Sequence, residues 1–159
     1  MALKGDHHII EDDISLTGET ATERGVVLMY QTAGSGVALG DSRGKAYLAA
    51  DPSGLKVAGL LFDDVVDVDL TTYQMNWHKD EVKKGNPVCL VRKGRVTTNK
   101  ILAGQTPTAG SVAYVTTSGQ LTPTVSATGG VAATPPVGKF HSSKDADGYA
   151  TVDINIPIV

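Results

Sequence analysis

The sequence predicts a mainly β protein, a β-sandwich or β-barrel built from short hairpins, with an extended N-terminal arm and little helix. Three observations carry that expectation. A unit of glycine, apolar run, polar turn and second β-prone run spans Gly85 to Thr98, recurs from Gly110 to Pro123, and appears more loosely from Gly25. No window of a dozen residues sustains a 3.6-residue apolar period between helix caps. The composition has 18 glycines and only 5% aromatic residues, which suits short strands joined by many turns.

Taken in order, residues 1–24 are polar and acidic around a single Ile9-Ile10 pair, and read as an arm that orders only where it docks. Residues 25–159 are then one β-rich domain, long enough to bury a core. Gly25 to Tyr30 is the first strand, Gln31 to Gly36 a turn, and Val37 to Leu39 its return. Ala46 to Ala49 is a further strand. Asp51-Pro52-Ser53-Gly54 follows as a turn, since proline presets φ at the second position. Val57 to Leu61 is continuously apolar, whereas Val66, Val68 and Leu70 alternate with Asp67 and Asp69. Thr71 to Val82 fits either a strand or a short helix.

In the Gly85 unit, Val88 to Val91 leads into Arg92-Lys93-Gly94. Gly94 is expected to supply the positive φ of a tight hairpin turn before Arg95 to Thr98. The Gly110 unit turns at Gly119. Residues 122–136 form a long low-complexity loop. The last strand sets Val152, Ile154, Ile156 and Ile158 against Asp153, Asn155 and Pro157, a period of two that marks one buried and one solvated face.

Charge narrows the function classes. The net charge is −3, which argues for neither nucleic acid nor an anionic membrane as a partner. Its distribution is uneven. Residues 1–24 hold six acidic side chains against Lys4 and Arg24, while residues 79–100 hold seven basic ones against Asp80 and Glu81. No apolar stretch approaches the ~18 residues of a membrane span. No signal peptide is visible, so synthesis in a cytoplasm is expected. Cys89, the lone cysteine, excludes an intrachain disulfide and a cysteine-based zinc site; in its apolar run it reads as a small buried hydrophobe.

A search for chemistry finds no centre. Asp6-His7-His8 with Glu11 has metal-binding residue types, but adjacent side chains on an extended segment point to opposite sides, and no metal site is expected. Asp145-x-Asp147-Gly148 begins like a calcium loop and lacks the later ligands; a hairpin turn is expected. The carboxylates Asp63, Asp64, Asp67 and Asp69 read as a solvated face. Gly40-Asp41-Ser42 matches the nucleophile tripeptide of some serine hydrolases, without the strand-to-helix setting or a placed histidine. Gly34, Gly36 and Gly40 have the wrong spacing for a dinucleotide fingerprint. Trp77 and His78 read as a half-buried pair at a strand end. Neither enzyme activity nor a cofactor is expected.

The order of the pieces carries a resemblance. An acidic arm precedes Gly25-Val26-Val27-Leu28. Ala58-Gly59-Leu60-Leu61 runs into Asp64-Val65-Val66, and Gly85-x-Pro87-Val88-x-Leu90-Val91 leads to Gly94-x-Val96. Gly110-Ser111-Val112-Ala113-Tyr114-Val115 comes with Gly119-Gln120-Leu121-Thr122-Pro123. Val137-Gly138-Lys139-Phe140 then precedes a final Asp147-Gly148-Tyr149 strand. Over most of residues 20–159 this resembles the head decoration, or capsid cement, proteins of tailed bacteriophages. The resemblance implies a structural virion protein on the outer surface of the expanded head, at junctions between major capsid protein subunits. It further implies self-association, as a homotrimer or a dimer. The expected contact residues are Leu3, Ile9 and Ile10 as anchors, Glu11, Asp12 and Asp13 as charge partners, and a second basic region at Arg92, Lys93 and Arg95. A β-sandwich module for glycans or a receptor is the alternative, and it would want an exposed aromatic platform that so few aromatics cannot build. A small hydrolase using Ser42 is a third reading.

Overall fold

The computed structural model describes residues 3–31, 44–67, 81–125 and 136–156, with the backbone alone at 4–8. The strands are β1 (Leu3–Asp13), β2 (Thr17–Gly18), β3 (Val27–Tyr30), β4 (Lys45–Tyr47), β5 (Val57–Leu61), β6 (Asp64–Val66), β7 (Glu81–Lys83), β8 (Leu90–Thr98), β9 (Val112–Val115), β10 (Leu121–Thr122), β11 (Pro136–Phe140) and β12 (Ala150–Asn155). Among the described residues the helical content is one 3-10 turn at Thr117–Gly119. The mainly β architecture expected from the sequence is therefore the architecture found.

The large sheet runs β10-β9-β11-β12-β8-β5-β3-β4-β2, with β1 also paired to β8; β6 and β7 make a separate parallel pair. Two apolar clusters explain why some strands are continuously apolar and others alternate. Val27, Met29, Leu60 and Val91 join the larger cluster with Val137, Phe140, Val152 and Ile154. Val26, Leu28, Leu61 and Leu90 enter a second cluster with Leu16, Ala46, Val65 and Val88. Strands β3 and β5 and the start of β8 are thus covered on both faces, and a strand covered on both faces needs apolar residues at every position. Strand β12 is covered on one face: Ala150, Val152 and Ile154 are buried while Thr151 and Asp153 are partly solvated. Truncating a doubly covered side chain such as Leu28 to alanine costs about 2–5 kcal/mol.

The Gly110 unit is the hairpin expected of it, with Leu121 opposite Val115 across the Thr117–Gly119 turn. Gly119 is required there. Its φ is +67°, and an added Cβ would lie 2.5 Å from the Val27 carbonyl oxygen and 2.7 Å from the Leu48 methyl. The Gly85 unit departs from expectation. Residues 90–98 are one unbroken strand, and Arg92-Lys93-Gly94 lies inside it, so the basic hairpin tip is replaced by a strand interior. The reason is long-range pairing. Gly94 is opposite Ile154 on β12 and Ile9 on β1, and ladder bonds on both edges outweigh a local turn preference.

Several sequence expectations fall outside the described residues: most of the turn at 31–36 and its return, Val68 and Leu70, most of 71–82, most of the 122–136 loop, and Ile158. Ser42, Trp77 and His78 lie outside them as well.

Candidate functional site

The arm is where sequence reasoning placed the contacts, and the structure shows how β8 organises it. One edge of β8 carries β1 from Thr98, opposite Leu3, to Leu90, opposite Asp13. The other edge pairs with β5 at Leu90 and Val91 and with β12 from Lys93 to Thr98. The segment read as an arm awaiting a partner is docked on its own chain.

Two apolar residues hold it. Leu3 is 4% exposed and belongs to the larger core cluster, and Ile9 packs against the same cluster. Ile10 does the reverse. Ile9 is opposite Gly94 and Glu11 is opposite Lys93, so Ile10 is the extra residue of a bulge in β1. It is 64% exposed, and Ile14 is 66% exposed. Asp12, between them, is also exposed, while Glu11 and Asp13 are partly buried, so exposure alternates from Ile10 to Ile14 across the bulge and the end of β1.

The uneven charge of the sequence closes largely within the chain. Arg92 Nη1 donates to Asp13 Oδ2 at 3.3 Å, and Nη2 donates to the Tyr30 hydroxyl at 3.0 Å. Asp13 also accepts from the Ser15 backbone N–H at 2.8 Å and from its hydroxyl at 2.5 Å. Burial pushes the Asp13 carboxyl up; the two Ser15 hydrogen bonds and Arg92 outweigh that and leave it below the usual carboxylate range. Arg95 grips Asp153 across the β8–β12 ladder with Nε at 2.6 Å and Nη2 at 3.3 Å. That hydrogen bonding holds the Asp153 carboxyl low, against the opposing effect of burial, with added help from the charges of Arg95 and His141. Lys100 Nζ meets Glu23 Oε2 at 2.6 Å, and this contact likewise lowers Glu23.

Cys89 lies beside the arm. Its backbone N–H donates to Asp63 Oδ2 at 3.1 Å, and its thiol meets Asp12 Oδ2 at 3.7 Å. It is half-buried, less enclosed than its apolar run suggests. Burial, then the carboxylates of Asp63 and Asp12, push its thiol up to about 11.

The expected contact residues therefore divide. Leu3, Ile9, Asp13, Arg92 and Arg95 make bonds or packing inside the chain. Lys93 is exposed opposite Glu11, and Ile10 and Asp12 face outward. Sequence reasoning missed Ile14, whose signal was the alternation continuing from Ile10 through Asp12. It also missed Tyr30 as a partner of Arg92, for which strand order is needed.

The side chains of Asp6, His7 and His8 lie outside the described residues, and no group of three or more potential metal ligands occurs among those described. Asp145 Oδ1 accepts the N–H groups of Asp147 at 3.0 Å and Tyr149 at 2.7 Å, which makes it the brace of a turn. No described helix is long and apolar enough to cross a membrane.

The family model described as structural cement protein (E217 gp24/Pam3 gp6) matches residues 2–155. The chain belongs to this phage structural cement family. The match takes in β1 as well as the sheet, so the arm is part of the family's shared length. No curated protein matches the chain. Membership of the cement family gives the protein a structural role in the phage capsid.

Proposed function

We propose that this cement protein binds the outer surface of the expanded phage head, at junctions between major capsid protein subunits, and stabilises the expanded shell. The observation that carries the reading is the family match across nearly the whole chain, together with an arm that is held by its own core yet directs Ile10 and Ile14 to solvent. A ligand that binds only the expanded lattice stabilises that lattice by mass action. Many copies, each with a modest interface, sum through multivalency, and self-association as a homotrimer or dimer adds to the effect. Lys93 joins the exposed part of the arm in this reading. Arg92 serves by holding the arm in place, and Arg95 by tying β8 to β12.

The test is cosedimentation of the purified protein with expanded heads that lack it, with unexpanded heads as control. Saturable binding to expanded heads alone, at a copy number tied to the capsomer count, is the expected result. Equal binding to both forms, or to neither, removes the stabilisation mechanism. Deleting residues 2–20 is a poor probe, because it also strips Leu3 and Leu16 from the two cores.

A further inference from the structure

Two of the most exposed large apolar side chains on the described surface lie four residues apart, on the arm and just past its end, with the exposed Asp12 between them. A single exposed isoleucine needs no explanation. This pair has two further features. Ile10 is the unpaired residue of a bulge, a device that re-aims a side chain, and the same bulge interrupts the backbone edge of β1. Contact here is therefore made by side chains more than by an added strand. Neither isoleucine is needed to hold the arm, because Leu3 and Ile9 already do so from the inner side.

The charge around the pair selects the partner. Asp13 is matched by Arg92 and Glu11 lies opposite the exposed Lys93, which leaves Asp12 as the acidic group between the two isoleucines. A second copy fits badly. An antiparallel register that sets Ile10 against Ile14 of the second copy sets Asp12 against its own equivalent, and like charges directly opposite are destabilising. We propose that Ile10, Asp12 and Ile14 form a docking face for an apolar depression rimmed by lysine or arginine on the major capsid protein. This docking presupposes the capsid role proposed above.

The experiment compares the full-length protein with Ile10→Ser/Ile14→Ser and with Asp12→Asn in titrations against expanded heads that lack the protein. Circular dichroism and thermal melting check each fold, and sedimentation velocity reports self-association without heads. Losing the burial of each isoleucine weakens binding by about 10-fold. Asp12→Asn weakens it less and flattens its dependence on salt. Four results overturn the proposal. If the folded double variant binds heads like the parent, the face is wrong while the capsid role stands. If the double variant loses self-association and keeps head binding per oligomer, the occupant is a second copy. If Asp12→Asn leaves the salt dependence unchanged, the partner is not basic. If the parent protein binds no heads, the capsid role fails and the docking face fails with it.

Discussion

Undocking the arm should unmask the Cys89 thiol, and the size of the effect follows from its surroundings. With the thiol pushed up to about 11, against 9.0 for an unperturbed one, the thiolate population at pH 8 falls from about 9% to about 0.1%. A thiolate of higher pKa is intrinsically more nucleophilic, with a Brønsted slope of about 0.4–0.5, and recovers about 8-fold. The net expectation is a reaction about 10-fold slower than that of an unstructured cysteine peptide, before any steric shielding. The assay is the rate of reaction with an aromatic disulfide reagent, followed by absorbance over a range of pH. In the folded protein the rate should climb about tenfold per pH unit past pH 9 and level off near 11. Removing residues 2–13 takes away Asp12 and the arm's share of the burial, and should restore part of the lost rate, since Asp63 remains. Asp12→Asn should restore less, because burial is the largest cause and Asp63 remains. A parent protein that reacts as fast as the peptide would refute the reasoning. So would a folded deletion variant with an unchanged rate. If the deletion variant does not fold, Asp12→Asn carries the test alone, and an unchanged rate there removes Asp12 from the thiol's surroundings.

Gly119→Ala should destabilise the protein by about 2–4 kcal/mol in denaturant unfolding, because it combines a left-handed backbone with a clash against the Val27 carbonyl. Arg92→Ala should cost about 1–2 kcal/mol. The loss is limited because Asp13 keeps its Ser15 bonds and because the buried Arg92 Nε has no hydrogen-bond partner in the parent. Amide exchange along β1 should accelerate more in that variant than exchange along β12. Acid should loosen the same seams: the Asp13 and Asp153 carboxyls are depressed in the folded state, so their contribution is present above the unfolded carboxylate pKa of about 3.9 and is lost as pH falls through the folded values. Melting temperature measured from pH 5 to pH 2 should fall, and Asp13→Asn or Asp153→Asn should flatten that fall.

Much of this fold is legible in local patterns. The alternation of β12 reports one buried face, and the Gly110 unit reports a hairpin, because both depend on residues a few positions apart. The continuous apolar runs of β3, β5 and the start of β8 are legible as strands, but their two-sided burial is not, since it depends on which segments cover them. Among the described residues, helix is limited to one 3-10 turn, as the missing 3.6-residue period leads one to expect.

The interior of β8 marks the boundary. Arg92-Lys93-Gly94 has the composition of a turn, and by itself the sequence determined only that this stretch was basic and flanked by β-prone runs. The tertiary structure decided that it is the interior of one continuous strand, because β1 and β12 pair along both of its edges and bring Asp13 and Asp153 to its arginines. The arm divides in the same way. Its acidity and its isoleucines are properties of the sequence. That Ile9 packs inward while Ile10 faces water depends on the register with β8 and on the bulge at Ile10, and register is a property of two strands far apart in the chain.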